Sequence, residues 1–135
     1  MKYKIDKQWL WSGSYTFNKS TIDEDEADAT LGGNDLSLQP RHKAGMVITY
    51  ENPKLFTLSL LLRYAGVMYA DLHNTDKVKG HYDCDLKIAR ELNENIELAL
   101  ICQSLLDKEY DIPNASGEEL ESAGRMITGT VTVEW

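Results

Sequence analysis

The chain has 135 residues, 42% hydrophobic and 27% charged, with a formal net charge of −8. That is enough for one domain, and the acidic balance argues against nucleic acid as a partner, since phosphate binding needs a basic surface. No run of 18 apolar residues exists, so no transmembrane helix is expected, but strands that cross a bilayer need only about 9–11 alternating residues and leave a mean hydropathy as low as −0.41 untouched. The opening Met1-Lys-Tyr-Lys-Ile-Asp-Lys-Gln8 carries positive charge without an apolar stretch behind it, which is not the form of a secretory signal.

Six alternating segments and almost no helical periodicity follow. Residues 7–19 place Trp9, Trp11, Gly13, Tyr15 and Phe17 on one face and Leu10, Ser12, Ser14 and Thr16 on the other. In 41–50, His42, Ala44, Met46, Ile48 and Tyr50 oppose Arg41, Lys43, Gly45, Val47 and Thr49. Residues 56–64 set Phe56, Leu58, Leu60, Leu62 and Tyr64 against Thr57, Ser59, Leu61 and Arg63. Residues 81–92 separate Cys84, Leu86, Ile88 and Arg90 from Asp83, Asp85, Lys87 and Ala89, and 96–104 separate Ile96, Leu98, Leu100 and Cys102 from Glu97, Ala99, Ile101 and Gln103. The last segment, 125–135, alternates Ile127, Gly129, Val131, Val133 and Trp135 with Thr128, Thr130, Thr132 and Glu134.

The connections alternate as well. Glu51-Asn-Pro-Lys-Leu55 and Asn93-Glu-Asn95 are hairpin-length, whereas 20–39, 65–79 and 105–123 are long. An antiparallel up-and-down meander of six strands, with short turns on one rim and long loops on the other, is the economical all-β topology, and it is the layout of an outer-membrane barrel. The charged rows cannot face hydrocarbon, where a basic side chain costs roughly 2–4 kcal/mol near the midplane, so the apolar rows should face lipid. Trp9, Trp11, Tyr50, Phe56 and Trp135 near the short-turn rim then form an interfacial girdle. Six strands would be overfilled if closed and would expose backbone edges if open, so the chain should be part of a larger transmembrane barrel. The alternative is a small soluble β-barrel or sandwich binding an apolar ligand. The two differ over the Leu58/Leu60/Leu62 row and Val131, buried in a closed core in the soluble case and turned outward in the membrane case.

Pro40-Arg-His-Lys-Ala44, Leu60-Leu-Leu-Arg-Tyr-Ala-Gly66, Tyr69-Ala-Asp71 with Asn74-Thr75, Gly80, Asp85-Leu-Lys87, Leu105-Leu-Asp-Lys-Glu-Tyr110, Gly124-Arg125 and the terminal aromatic occur in an order that resembles the carboxy-terminal barrel region of TonB-dependent outer-membrane receptors. The resemblance covers nearly the whole of residues 1–135. It implies a piece of a roughly 22-stranded barrel, with the plug domain and signal peptide absent from this sequence and the plug, with its TonB box, lying upstream. It further implies import of a scarce nutrient of the ferric siderophore, haem or cobalamin class, driven through TonB. The partners implied are outer-membrane lipid, the remainder of the barrel, the plug and, through Trp135, the barrel-assembly machinery; no cofactor is implied. The sequence departs from the pattern at Arg90, where an aromatic is usual, at Ser104-Leu-Leu-Asp107, and in the acidic link that begins at Pro113.

Within the long loops, Tyr69, Asp71, Tyr110 and Asp111 are the candidate ligand contacts, by location. The run Asp23-Glu-Asp-Glu26 with Asp28 lacks the glycine an EF-hand loop requires and reads as a solvated acidic loop. His42, His73 and His81 have no zinc-ligand spacing and read as surface or interfacial residues, so no metal site is expected. No nucleophile–base constellation or phosphate-cradling loop appears, and enzymatic activity is not expected. A hairpin centred on Asn93 sets Cys84 directly opposite Cys102, whereas a register shifted by two makes them diagonal; in either case two free thiols are expected.

Overall fold

A computed structural model describes residues 2–4, 7–24, 26–112 and 120–135 of the chain, with only the backbone of 2–4. Asp25 of the acidic run, residues 113–119 of the acidic link, and Met1, Ile5 and Asp6 of the amino-terminal stretch lie outside the described residues. In chain order the strands are β1 (Lys2–Lys4), β2 (Trp9–Phe17), β3 (His42–Asn52), β4 (Phe56–Ala65), β5 (Met68–Tyr69), β6 (Lys77–Val78), β7 (His81–Asn93), β8 (Ile96–Gln103), β9 (Asp111–Ile112), β10 (Leu120–Glu121) and β11 (Met126–Val133). One sheet runs β1-β2-β3-β4-β7-β8-β11, every neighbour antiparallel. The six expected strands are its long members. The short edge strand β1 was not foreseen, because three residues are too few for a period to show.

Register carries the alternation of each strand across the whole sheet. Trp11, Ile48, Leu60, Leu86, Cys102 and Ile127 form one transverse row, each paired to the next. The parallel row on the other face runs Leu10, Thr49, Ser59, Lys87, Ile101 and Thr128. Because a one-residue slip would exchange the faces, this register is what separates apolar from polar. The inward face is not wholly polar, since Val47, Leu61 and Ile101 belong to it.

Between β7 and β8 the turn is Glu94-Asn95, with a register irregularity between Glu91 and Asn93. Leu86, not Cys84, is therefore opposite Cys102, so the shifted, diagonal register is the one adopted and both cysteines are free. The two-residue turn, and not the bulge, moves the hairpin centre off Asn93.

The sheet does not enclose a core. Among the described residues none has a fully buried large side chain, and the buried apolar residues include Leu31, Met68, Val78, Cys84 and Ala89, the first three in the long connections between the strands of the main sheet. Val131 is 65% exposed and Leu60 half-buried. A closed apolar interior, which the soluble alternative requires, is absent from the described residues, and that alternative fails.

Candidate membrane wall and ligand mouth

The outward face ends in aromatics at both rims. At the short-turn rim the Trp9 and Tyr50 rings are 5.0 Å apart and those of Tyr50 and Phe56 5.9 Å apart. Trp135 lies beyond the end of β11, fully exposed, and the chain there is held where Glu134 N–H donates to the Asn95 carbonyl at 2.9 Å. Trp11 belongs one row further in, with Ile48 and Leu60, away from the rim aromatics it was grouped with.

The other rim carries a second set that sequence reading missed. Tyr15, Ala44, Tyr64 and Tyr82 pair in one outward row, with Phe17 and His42 in the next. The Tyr15 hydroxyl meets His42 Nδ1 at 2.7 Å, and Phe17 lies 5.1 Å from the His42 ring. Tyr15, Phe17, Tyr64 and Tyr82 stood in the same alternating rows as the apolar residues, so the signal was present. Only the register reveals that they gather in two adjacent rows at one end of the sheet. Phe56 to Tyr64 spans about 27 Å of strand at ~3.4 Å per residue, or about 20 Å along the normal at a tilt of ~40°. This height approaches the ~25 Å apolar band of outer-membrane barrels.

Apart from Arg90, which stands in the outward row opposite Leu98 near the short-turn rim, the charges of the long strands lie on the opposite face, and several are paired there. Arg63 reaches both Asp83, at 2.7 Å, and Asp85, at 2.8 Å. Ser104 N–H donates to Asp85 and its hydroxyl to Asp83, which fastens the end of β8 to β7. Lower on the same face Lys87 lies 3.8 Å from Glu97, and Thr49 and Ser59 hydroxyls meet at 3.3 Å.

At the long-loop rim two tight approaches shape the strand ends. A side chain at Gly80 would meet the Ala65 carbonyl oxygen at 3.0 Å, and one at Gly66 would meet that of His42 at 3.2 Å. Beyond them β5 and β6 form one small ladder and β9 and β10 another. Tyr69 is in the first, with Asp71 in the turn that joins its strands; Asp111 is in the second, with Tyr110 just before it. The Asp71 carboxylate is occupied within its own loop, accepting from Thr75 N–H, Thr75 hydroxyl and Asp76 N–H at 3.1, 2.7 and 2.8 Å. These bonds, led by the Asp76 amide, lower its pKa to about 2.

Tyr110 stacks on His81 at 4.0 Å with the planes 5° apart. Together with Asp111, Tyr82, Lys79, Lys108 and Glu121 they line a cleft of about 340 Å³. The Lys108 ammonium bonds the Tyr82 hydroxyl. The base of this loop is closed by Asp107, whose carboxylate accepts from Arg125 N–H at 2.8 Å and its guanidinium at 3.1 Å. Asp107 and Gly124-Arg125, distant in sequence, are thus one clamp. His73 lies 3.7 Å from Asp28, and no metal-holding group of side chains occurs among the described residues.

This fold recurs in solved receptors. The siderophore receptor PiuA from Acinetobacter baumannii superposes with a TM-score of 0.82 and 25% identity over 98% of this chain and 20% of its own. This chain has the fold of a barrel segment of the TonB-dependent receptor type. Its place is the outer membrane. No family model matches. The curated probable TonB-dependent siderophore receptor PiuA of Acinetobacter baumannii is 25% identical over 116 residues, 79% of this chain and 16% of that protein. The ferric yersiniabactin uptake receptor FyuA from Yersinia pestis shares the fold at a TM-score of 0.83 and 17% identity, over 99% of this chain and 22% of its own. The ferric-catecholate import receptor Fiu from Escherichia coli K12, in its closed form, does so at 0.79 and 23%, over 98% and 19%. The chain spans about a fifth of the length of the relatives it matches.

Proposed function

We propose that this chain is the carboxy-terminal part of the barrel of a receptor that imports a ferric siderophore with energy delivered through TonB. The observation that carries the reading is the sheet itself, with an outward apolar face bounded by aromatics at both rims and its paired charges on the other face. The outermost strands β1 and β11 do not pair with each other, and in hydrocarbon each unpaired backbone group costs several kcal/mol. Further strands therefore complete the wall, and a plug domain upstream fills its lumen. Siderophore is preferred to haem or cobalamin because the relatives are named for siderophores.

In this reading the long loops open outward. Tyr110 and Asp111 contact ligand from the cleft, while Tyr69 and Asp71 shape the neighbouring wall. Trp9, Tyr50, Phe56 and Trp135 form the periplasmic girdle, with Trp11 just above it. Trp135 also serves as the terminal signal read by the barrel-assembly machinery. The test is accumulation of radioactive iron by iron-starved cells that carry the receptor, supplied as ferric catecholate, hydroxamate or hydroxycarboxylate complexes. At least one complex should be taken up, and removing TonB should abolish it. If none enters, and haem or cobalamin enters instead, the siderophore assignment is wrong.

A further inference from the structure

We infer that Asn74 is a positioning residue that locks two of the long loops into a single wall. The two loops are those between β2 and β3 and between β4 and β7. Asn74 Oδ1 accepts from Asp35 N–H at 2.8 Å, and its Nδ2 donates to the Asp35 carbonyl at 2.9 Å. One side-chain amide thus satisfies both backbone groups of a residue 39 positions away, as a neighbouring strand would. Asn74 holds φ +58°, a left-handed conformation that asparagine tolerates better than most side chains. The turn that aims it is built by Asp71, whose carboxylate gathers Thr75 and Asp76.

Neighbouring ties run the same way. Asn34 Nδ2 donates to the Leu72 carbonyl at 3.0 Å, and Leu38 N–H donates to the Tyr69 carbonyl at 2.7 Å. Leu38 itself sits at φ +61°, unusual for a branched apolar residue and sustained by the contact it makes. Arg41 anchors Asp35 to the start of β3 at 2.7 Å. Each loop also buries apolar side chains, Leu31 on one and Met68 and Val78 on the other. A wall assembled in advance loses less freedom when a ligand docks on it. Its place at a ligand mouth rests on the receptor reading, but the coupling of the loops does not.

Hydrogen–deuterium exchange of the purified, folded protein tests the coupling without any ligand. Asn74→Gly keeps the positive φ accessible and removes both bonds to Asp35. The Asp35 and Leu38 amides on the first loop should then exchange about tenfold faster or more, together with those of 72–76, while 126–133 stay protected. The reciprocal change, Asn34→Ala, should speed exchange at Thr75 and Asp76 on the second loop, because coupling acts in both directions. If Asn74→Gly disturbs the whole sheet, Asn34→Ala alone decides. Acceleration confined to the mutated loop, with the partner loop unchanged, overturns the inference.

Discussion

Leu60 stands four residues from Phe56 and four from Tyr64, the aromatics that bound β4 on the outward face. At ~3.4 Å per residue and a tilt of ~40°, it lies about 10 Å from either girdle, close to the midplane of the apolar band. Its row neighbours are Ile48 and Leu86, which offer no counter-charge to an introduced cation. Leu60→Arg should therefore carry nearly the full midplane penalty of about 2–4 kcal/mol. At 1.4 kcal/mol per decade this is roughly 30- to 700-fold in the folding equilibrium. Thr128 stands on the inward face of β11, opposite Ile101, and is exposed. Thr128→Arg should change stability by no more than about 0.5 kcal/mol. Urea titration of tryptophan fluorescence in phospholipid vesicles measures both variants on one scale. Equal costs, or a larger cost at Thr128, would refute the assignment of faces.

Two further outcomes follow from the paired charges and the loops. Arg63→Ala leaves Asp83, 8% exposed, and Asp85 without their cation, and since Arg63 is itself half-exposed the cost should be about 1–2 kcal/mol in the same titration; a loss well below that would show the network to be dispensable. The Asp71 carboxylate, held at about 2 against an ordinary 3.8, stabilises its turn fully above its unfolded pKa, and this support is lost as pH falls through about 2. Pepsin should spare residues 70–76 at pH 4 and cut them near pH 2, and equal cleavage at both would argue against a structural role for the carboxylate.

How much was legible in the sequence follows from the range of the interactions concerned. Alternation is a property of neighbours along the chain, so the six long strands, the short turns and the separation of Leu60 from Ser59 or Val131 from Thr130 could be read directly. The lower aromatic rim was legible for the same reason, because Tyr50 and Phe56 flank one short turn. Tyr15, Tyr64 and Tyr82 come from three strands separated by long loops. No local rule says that they share a row; the hydrogen-bonded register does. The cysteines illustrate the same limit, since the placing of the turn at Glu94-Asn95 decided that Leu86 and not Cys84 faces Cys102. The loop contacts were the least accessible. Asp71 was singled out for its position and charge, yet its bonds turn inward to its own loop, and the residue that reaches across is Asn74.

The sequence by itself determined that this chain is a sheet with one apolar and one polar side, because side chains on a strand alternate whatever the strand pairs with. Tertiary structure alone decided that aromatics bound the apolar side at its second rim as well, and that distant loop residues such as Asp35 and Asn74, or Asp107 and Arg125, meet. Those outcomes depend on pairing between segments far apart in the chain, and pairing is settled only when the whole sheet is assembled.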